Sequence, residues 1–250
     1  MFCIDNRCTD VYFNLAAEEY LLKRKRDDYF MIWQSEPSVV LGKNQSVQAE
    51  VDEGYREQKG IHLARRFSGG GAVYHDRGNI NLTFIETTAR PAFEEYLQRT
   101  VEFLESIGIA AYTDERMGIY VDGKKVSGSA QCIHKDRVMY HCTLLFSTDL
   151  TVLNHVLRGK SEEAEPIPGL RAVRAVSSVH SEVTNICHSL EATIGIKRFI
   201  YLLFHYFLTE NDGNAIYHFS KEDCAAIEWL KREKYADEEW ICHRATLKKI

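Results

Sequence analysis

The sequence predicts an α/β (α+β) fold in which a mixed, largely antiparallel sheet is flanked by helices. Short apolar runs that alternate with polar residues, typical of strands, are interleaved with segments in which apolar residues recur every three or four positions, typical of helices. The middle of the chain also carries hairpin signals such as Asp122-Gly123. Hairpins favour antiparallel pairing and interleaved helices favour layers, so the two observations together indicate this architecture.

Helices are predicted from apolar periodicity and from residues that begin or end them. Thr9 or Asp10 can cap the first helix, Gly60 can end a short second one, and Pro91 and Gly108 flank the next. The predicted helices are Asp10–Arg26, Asp52–Lys59, Phe93–Ile107, Leu150–Leu157, His188–Leu208 and Lys221–Lys234.

Strands are predicted where apolar and β-branched residues alternate with polar ones between turn signals. They are Tyr29–Gln34, Ser38–Leu41, Ile61–Arg65, Ala72–Tyr74, Asn81–Ile85, Ile119–Val121, Lys125–Cys132 and Val138–Phe146. The segment Gly159–Ala175, rich in proline and charge, predicts a mobile loop. No linker divides the chain, so residues 1–250 are expected to form a single domain.

Composition and charge exclude several classes of protein. The 250 residues are 45% hydrophobic with a net charge of −5, which indicates a globular protein and argues against nucleic acid as a partner. Seven scattered cysteines without a regular framework suggest a reduced protein and predict no metal site. The N-terminus does not resemble a signal peptide, and no apolar run approaches the roughly 20 residues of a membrane span. We therefore expect a cytoplasmic protein without membrane association.

A glycine triplet marks the first candidate site. Gly69-Gly70-Gly71 allows the backbone to approach an anion closely, and Arg65-Arg66 before it could bind phosphate or carboxylate. A bare triplet is equally consistent with a surface turn. The next residues, Ala72 to Tyr74, do not match the Walker or dinucleotide patterns, so a phosphate loop of another design is indicated.

A second candidate site follows the hairpin signal at Asp122-Gly123. Lys125 lies just inside the following strand, before small residues that leave space for a ligand, whereas Lys124 is expected to be a solvated surface lysine. A fixed ammonium group beside a phosphate loop would stabilise charge on a phosphate or acyl oxygen. His141 and Cys142 are adjacent on one strand and point to opposite faces, so they are not expected to form a dyad.

Together these motifs resemble the lipoate–protein ligase A family of the biotin and lipoate ligases. The resemblance rests on RRFSGGGAVYHDRGNINLTF at Arg65–Phe84 and on GKKVSGSAQ at Gly123–Gln131. Weaker similarities lie at Phe13–Leu22, His141–Leu150 and Ser177–Ile186, so the resemblance extends over most of the chain.

The resemblance implies an enzyme that activates lipoate with ATP and Mg²⁺ to lipoyl-AMP and transfers the lipoyl group to a protein lysine. The implied acceptors are lipoyl-carrier domains of 2-oxo-acid dehydrogenase complexes or the glycine cleavage H protein. Lys125 is implied to be catalytic. Nucleotide contacts are implied for Arg66, Gly71, Ala72, Val73, Tyr74 and Lys125, and lipoate contacts for Gly70, Gly71, His75, Asn79, Lys125, Ser127, His141 and Cys142.

Departures from the family pattern leave two other functions open. Met117-Gly118 stands where the family usually has Asn-Asp, which removes an oxygen ligand suited to magnesium or phosphate chemistry, and Cys142 replaces a usual glycine. The chain also ends at Ile250, where many family members continue into a small C-terminal domain that a separate accessory protein could supply. The alternatives are an octanoyl or lipoyl transferase that uses a preformed donor and a non-catalytic binder of lipoyl-adenylate.

Overall fold

The computed structural model describes residues 1–158 and 177–243. The predicted mobile loop, Gly159–Ala175, lies outside these residues. Most predicted helices are confirmed to within a few residues. For example, the Asp10 carboxylate caps the first helix by accepting a hydrogen bond of 2.9 Å from the Tyr12 N–H. The helices are α1 Val11–Arg24, α2 Val47–Glu50, α3 Glu53–Gln58, α4 Phe93–Ser106, α5 Leu150–Val156, α6 Ile196–Thr209 and α7 Lys221–Leu230.

The strands include three that the sequence did not predict, namely Phe2–Asn6 (β1), Ala111–Thr113 (β7) and Ala215–Ile216 (β12). The first of these lies inside the largest sheet, not at its edge. The strands are β1 Phe2–Asn6, β2 Tyr29–Trp33, β3 Ser38–Leu41, β4 His62–Arg65, β5 Val73–His75, β6 Asn79–Thr87, β7 Ala111–Thr113, β8 Ile119–Val121, β9 Lys124–Ser127, β10 Ser129–His134, β11 Arg137–Leu145 and β12 Ala215–Ile216.

Three sheets organise these strands. The largest has the order β10-β11-β6-β2-β1-β12, in which β1 pairs parallel with β2 and β12 and the other pairs are antiparallel. The two smaller sheets have the orders β4-β3-β5 and β7-β8-β9. The predicted mixed, largely antiparallel sheet flanked by helices is therefore confirmed.

The large sheet separates two apolar layers. Phe30 and Phe84 face one layer, where their rings pack at 5.0 Å beneath α4 and α6. Met31 and Ile85 face the other layer, which contains α1 and the β4-β3-β5 sheet. Alternation along each strand thus places successive residues in different layers. No helix in the described part of the chain is both long and apolar enough to span a bilayer.

The predicted strand Lys125–Cys132 is wrong because the chain changes sheets at Gly128. Residues before Gly128 form β9 and pair with β8, whereas those after it form β10 and pair with β11. The Gly128 carbonyl accepts a hydrogen bond of 3.0 Å from the Thr143 N–H at this crossing. The alternating sequence pattern continues through the glycine, so it carries no information about a change of partner.

The predicted helix His188–Leu208 begins too early. Ile186–Ser189 forms a 3-10 turn, and α6 starts at Ile196, immediately after Gly195. The intervening Leu190 and Ile194 pack against the core. Periodicity of apolar residues does not distinguish such a packed segment from a helix. The last predicted helix, Lys221–Lys234, ends its α-helical part at Leu230 and continues as a wider turn over Lys231–Tyr235.

Candidate functional site

The glycine loop, residues 66–72, joins β4 to β5 and is shaped by Arg66. The buried guanidinium group of Arg66 donates to the carbonyls of Gly69, Gly71 and Val40, with distances of 2.8 Å to Gly71 and 3.1 Å to Val40. Its Nε also donates to the Ser68 hydroxyl at 3.0 Å. Arg66 therefore fixes the path of the loop, and contact between Arg66 and a nucleotide stays a prediction.

Arg65 is also occupied by backbone carbonyls. Its guanidinium group is 1% exposed and donates to Ile241 at 2.7 Å and to Gln45 at 2.7 Å. The Trp240 indole returns a hydrogen bond of 2.9 Å to the Arg65 carbonyl. The suggestion that Arg65 could bind phosphate is thus wrong. It instead connects the glycine loop to the C-terminal segment of the described chain.

Close approach of the glycine loop to the end of β3 explains why both segments have a glycine at their contact. A β-carbon on Gly42 would lie 2.0 Å from the Gly70 carbonyl oxygen, a distance that no side chain permits. Gly70 itself has φ +85°, in the left-handed region that favours glycine. The loop can therefore pack on the end of β3 only with glycine at both positions.

Lys125 projects from the β8–β9 hairpin, which turns at Asp122 and Gly123 with positive φ at both, as the sequence predicts. The Lys125 side chain passes close to Gly118, where a β-carbon would lie 3.1 Å from the Lys125 Cε. Burial lowers the pKa of Lys125, the Asp114 carboxylate opposes this effect, and Arg116 adds to it. Within the described residues the ammonium group forms no ion pair, so its charge is available to a ligand.

Asp114 is a carboxylate near Lys125 that the sequence reasoning missed. Its Oδ1 accepts hydrogen bonds from the N–H groups of Arg116 at 3.1 Å and Gly118 at 2.8 Å, and its Oδ2 accepts from the Tyr120 hydroxyl at 2.9 Å. These bonds close the turn at Met117-Gly118, in which Met117 takes φ +57°. The pKa of Asp114 is lowered because these donors and Lys125 outweigh its desolvation by burial.

A segment after the undescribed residues crosses the same region. The Ser178 hydroxyl accepts hydrogen bonds from the Ala72 N–H at 2.8 Å and from the Gln45 side chain at 3.0 Å. Further along, the Lys125 N–H donates to the Glu182 carbonyl at 2.8 Å. The segment thus spans the glycine loop and the lysine hairpin, and it belongs to one of the weaker sequence similarities, Ser177–Ile186.

Two adjoining cavities lie between these elements. The first has a volume of about 310 Å³ and the second about 430 Å³, and both are bordered by Ala72, Val73 and Lys125. The first is also bordered by Leu15, Trp33, Val40, Arg66, Gly71, His75, Asn81, Arg116, Gly128, Ser129, Ala130, His141, Cys142, Thr143, Ser177, Ser178 and Val179. The second is also bordered by Tyr74, Ser127, Gly128, Thr143, Leu145, Leu153, Asn154, Leu157, Arg158 and the residues 178–183.

His75 is a buried polar group on the wall of the first cavity. Its side chain is 3% exposed, and neither ring nitrogen has a hydrogen-bond partner among the residues that the structure describes. Its ring meets the Trp33 ring edge-on at 5.6 Å. Burial, with smaller effects from Arg66 and His141, lowers the pKa of His75 from 6.5 to about 3, so the imidazole is neutral at physiological pH.

His141 joins the first cavity to a buried chain of hydrogen bonds. Its Nδ1 lies 2.9 Å from the Glu18 carboxylate, and its Nε2 lies 2.7 Å from the Ser68 hydroxyl. The same Glu18 oxygen accepts from Thr83 at 2.6 Å. Since Ser68 also accepts from Arg66, this chain connects α1 and β11 to the glycine loop.

Cys142 borders the first cavity but is not prepared to be a nucleophile. Burial raises the pKa of its thiol to about 12, and the hydroxyls of Ser127, Thr100 and Tyr140 offset only part of this effect. Thr100 lies on α4 and Glu18 on α1, so Cys142 and His141 face opposite layers. The expectation that the two residues form no dyad is confirmed.

Most predicted site residues lie on the two cavities. Gly71, His75, His141 and Cys142 border the first, and Tyr74 and Ser127 border the second. Gly70 and Asn79 border neither, although Asn79 is buried and donates to Asn81, which does. Sequence reasoning missed Trp33 and Ser178, which reach the first cavity through tertiary packing, and Asp114, which acts on Lys125.

Comparison with known proteins identifies relatives along almost the whole chain. The family model for the lipoyl protein ligase A/B catalytic domain matches residues 10–208. Lipoate-protein ligase LplJ of Bacillus subtilis is 34% identical, with 96% of this chain and 73% of the relative covered. The mitochondrial lipoyl amidotransferase LIPT1 of Homo sapiens is 38% identical over 71% of this chain and 47% of its own length.

Solved structures share the fold. A putative lipoate protein ligase from T. acidophilum with bound lipoic acid has a TM-score of 0.79 at 22% identity, covering 96% of this chain and 98% of that one. A lipoate-protein ligase A bound with ATP has a TM-score of 0.79 at 22% identity, covering 98% of this chain and 99% of that one. At this level of identity the likeness establishes the architecture alone.

Proposed function

The chain belongs to the lipoyl protein ligase A/B catalytic-domain family, and we propose that it is a lipoate–protein ligase. In the proposed reaction lipoate and ATP form lipoyl-AMP and pyrophosphate, and a lysine of a lipoyl-carrier domain then receives the lipoyl group. The observation that carries the proposal is the position of Lys125. Its ammonium group forms no ion pair with the residues that the structure describes, and it borders both cavities, where an acyl group and a nucleotide can meet.

The first cavity suits the acyl group and the second suits the nucleotide. Leu15, Trp33 and Val40 give the first cavity apolar walls for a hydrocarbon chain. Lys125 and Arg158 give the second cavity positive charge suited to phosphates. With this placement the carboxylate of lipoate lies near the boundary between the cavities, where Lys125 stands.

The proposed chemistry uses no protein nucleophile. In the first step a lipoate carboxylate oxygen attacks the α-phosphorus of ATP, and the bond to pyrophosphate breaks. In the second, the amine of the acceptor lysine attacks the acyl carbon, AMP leaves, and the amine loses a proton. Lys125 would neutralise the carboxylate first and then the phosphate oxygens on which charge develops.

Magnesium would be held mainly by ATP. The described residues contain no cluster of three or more histidine, cysteine or acidic side chains able to hold a metal. Mg²⁺ commonly binds one or two carboxylates together with substrate phosphates, and Asp114 is a carboxylate near Lys125 that could contribute an oxygen. When bound, the ion would neutralise charge on the phosphates.

Exchange of labelled pyrophosphate into ATP tests the activation step. Purified protein with lipoate, ATP and Mg²⁺ is expected to catalyse the exchange, and Lys125→Ala is expected to abolish both exchange and transfer from lipoyl-AMP. The matched control is Lys124→Ala, since Lys124 is 47% exposed and pairs with Glu182 on the surface at 2.7 Å. Full activity of Lys125→Ala, or equal loss in the control, would refute the assignment.

A transferase that uses a preformed donor is the second candidate function. Two observations favour it, namely Met117-Gly118 in place of the usual Asn-Asp and the similarity to a protein named lipoyl amidotransferase. Transfer from synthetic lipoyl-AMP without pyrophosphate exchange would select this function. Failure of both reactions, together with binding of lipoyl-AMP, would leave a non-catalytic binder.

A further inference from the structure

A cluster of lysines lies beside the glycine loop but outside both cavities. Lys23, Lys43 and Lys234 place their ammonium nitrogens 4.2, 5.1 and 4.8 Å from the centre of the Phe67 ring. They come from α1, the loop after β3 and the turn after α7. None of these four residues, here called the Phe67 cluster, borders either cavity.

The positive charge of the Phe67 cluster is only partly neutralised. Glu19 accepts from Lys23 and from Lys234, each at 2.6 Å, and also from Tyr235. Lys43 has no ion pair in the part of the chain that the structure describes. Among the described residues, one paired carboxylate thus offsets the charge of three ammonium groups, in a protein whose net charge is −5.

The three lysines are close enough to influence one another. Burial has the largest effect on the pKa of Lys234 and lowers it, Glu19 opposes this, and both Lys23 and Lys43 lower it further. At the β10–β11 turn, burial lowers the pKa of His134, Lys23 and Lys135 lower it further, and Glu19 and Asp136 oppose them. Such an excess of like charge is relieved when an anionic partner approaches.

The accessible part of the cluster has the character of a protein-binding surface. Lys23 keeps 30% of its side chain exposed, and Lys43 and Phe67 are half-buried, whereas Lys234 is buried. An aromatic ring with ammonium groups over it combines an apolar group with charges that steer association. A small anion would gain little from the ring, so the arrangement favours a protein.

The cluster also lies next to the proposed reaction centre. The Lys43 N–H donates to the Ser68 carbonyl at 2.8 Å, and Phe67 directly precedes Ser68 in the glycine loop. Gly71 in the same loop borders the first cavity. A protein bound at Phe67 would thus have one of its side chains close to the acyl group.

We propose that the Phe67 cluster is the docking surface for the acceptor domain, which binds through carboxylates near its acceptor lysine. This inference rests on the proposed function and adds the site and the charge of the partner contact. Docking there brings the acceptor lysine to the cavity where the acyl group is activated. The cluster acts in transfer only, and activation does not depend on it.

The test uses the double variant Lys23→Gln/Lys43→Gln. In transfer from preformed lipoyl-AMP, its KM for the unmodified acceptor domain is expected to rise by about tenfold, the lower end of electrostatic steering effects. Its pyrophosphate exchange without acceptor should equal that of the wild type. Raising the salt towards about 1 M should increase the wild-type KM and leave the variant's nearly constant, since screening then acts over about 3 Å.

Matched variants separate the surface from total charge and from folding. Lys59→Gln/Lys197→Gln removes the same charge at exposed positions elsewhere and should keep the wild-type KM. Lys23→Arg/Lys43→Arg keeps the charge and should do the same. An unchanged KM in Lys23→Gln/Lys43→Gln, an equal rise in Lys59→Gln/Lys197→Gln, or loss of pyrophosphate exchange would each overturn the proposal.

Failure of the proposed function gives a different result. If the wild type neither exchanges pyrophosphate nor transfers the lipoyl group, the ligase and transferase assignments fall. Titration of the wild type and both glutamine variants with the acceptor domain then decides the docking surface by itself. Weaker binding only for Lys23→Gln/Lys43→Gln supports the surface, and equal binding by all three proteins overturns it.

Discussion

Replacement of His75 by phenylalanine should make the protein less sensitive to acid. His75 is buried with both ring nitrogens unpartnered in the described residues, and its pKa falls from 6.5 to about 3 because burial disfavours the charged ring. His75→Phe keeps a ring against Trp33, 5.6 Å away, and removes the titrating group. The variant therefore isolates the effect of protonation.

The sign and size of the effect follow from proton linkage. Between pH 6.5 and pH 3 the unfolded chain binds a proton at His75 that the native state does not, so stability falls as the pH falls. At pH 5 the solution is about 1.5 pH units below the ordinary pKa, and each unit corresponds to about 1.4 kcal/mol. Because of His75, the free energy of unfolding of the wild type is thus about 2 kcal/mol lower at pH 5 than at pH 7.

Thermal unfolding at the two pH values measures this difference. In a chain of this size about 2 kcal/mol corresponds to about 4–8 °C in Tm, so the fall in Tm between pH 7 and pH 5 should be smaller by that amount in His75→Phe. His205→Phe is the control, because His205 is exposed on α6. Equal falls in the wild type and His75→Phe would refute the reasoning.

Two further predictions concern the reacting groups. Asp114→Asn should move the alkaline limb of the pH profile for pyrophosphate exchange to lower pH, because Asp114 opposes the burial that lowers the pKa of Lys125. Arg116→Gln should move this alkaline limb to higher pH. If the alkaline limbs of the two variants coincided, this electrostatic account would be contradicted. Cys142→Ser should retain transfer, since burial raises the pKa of the thiol to about 12 and keeps it protonated. Loss of transfer, with a thioester on the wild-type protein in mass spectrometry, would instead establish an acyl-enzyme.

Local sequence signals predicted the elements that form the centre of the site. The Asp122-Gly123 turn, the strand after it and the buried strand pattern before the glycine triplet each depend on a few neighbouring residues. Prediction failed where the same local pattern has two tertiary outcomes. The strand run through Gly128 divides between two sheets, and the apolar residues before Gly195 pack without forming a helix.

The sequence did not reveal what the charged groups contact. Arg65 and Arg66 precede a glycine triplet. This order is equally compatible with arginines that bind phosphate and with arginines that hold the loop. Their guanidinium groups donate to carbonyls up to 176 residues away in sequence, and this arrangement arises only in the folded chain. The same applies to Asp114, whose influence on Lys125 depends on the turn that brings the two residues together.

The sequence by itself determined the glycine loop and the hairpin lysine, because turns and motifs depend on neighbouring residues. Only the tertiary structure decided that Lys125 stands where two cavities meet, that His75 is buried and neutral, and that three lysines surround Phe67. Those features are made by residues from separate elements. Their distances, burial and charge are set by the packing of sheets and helices, and no local pattern contains them.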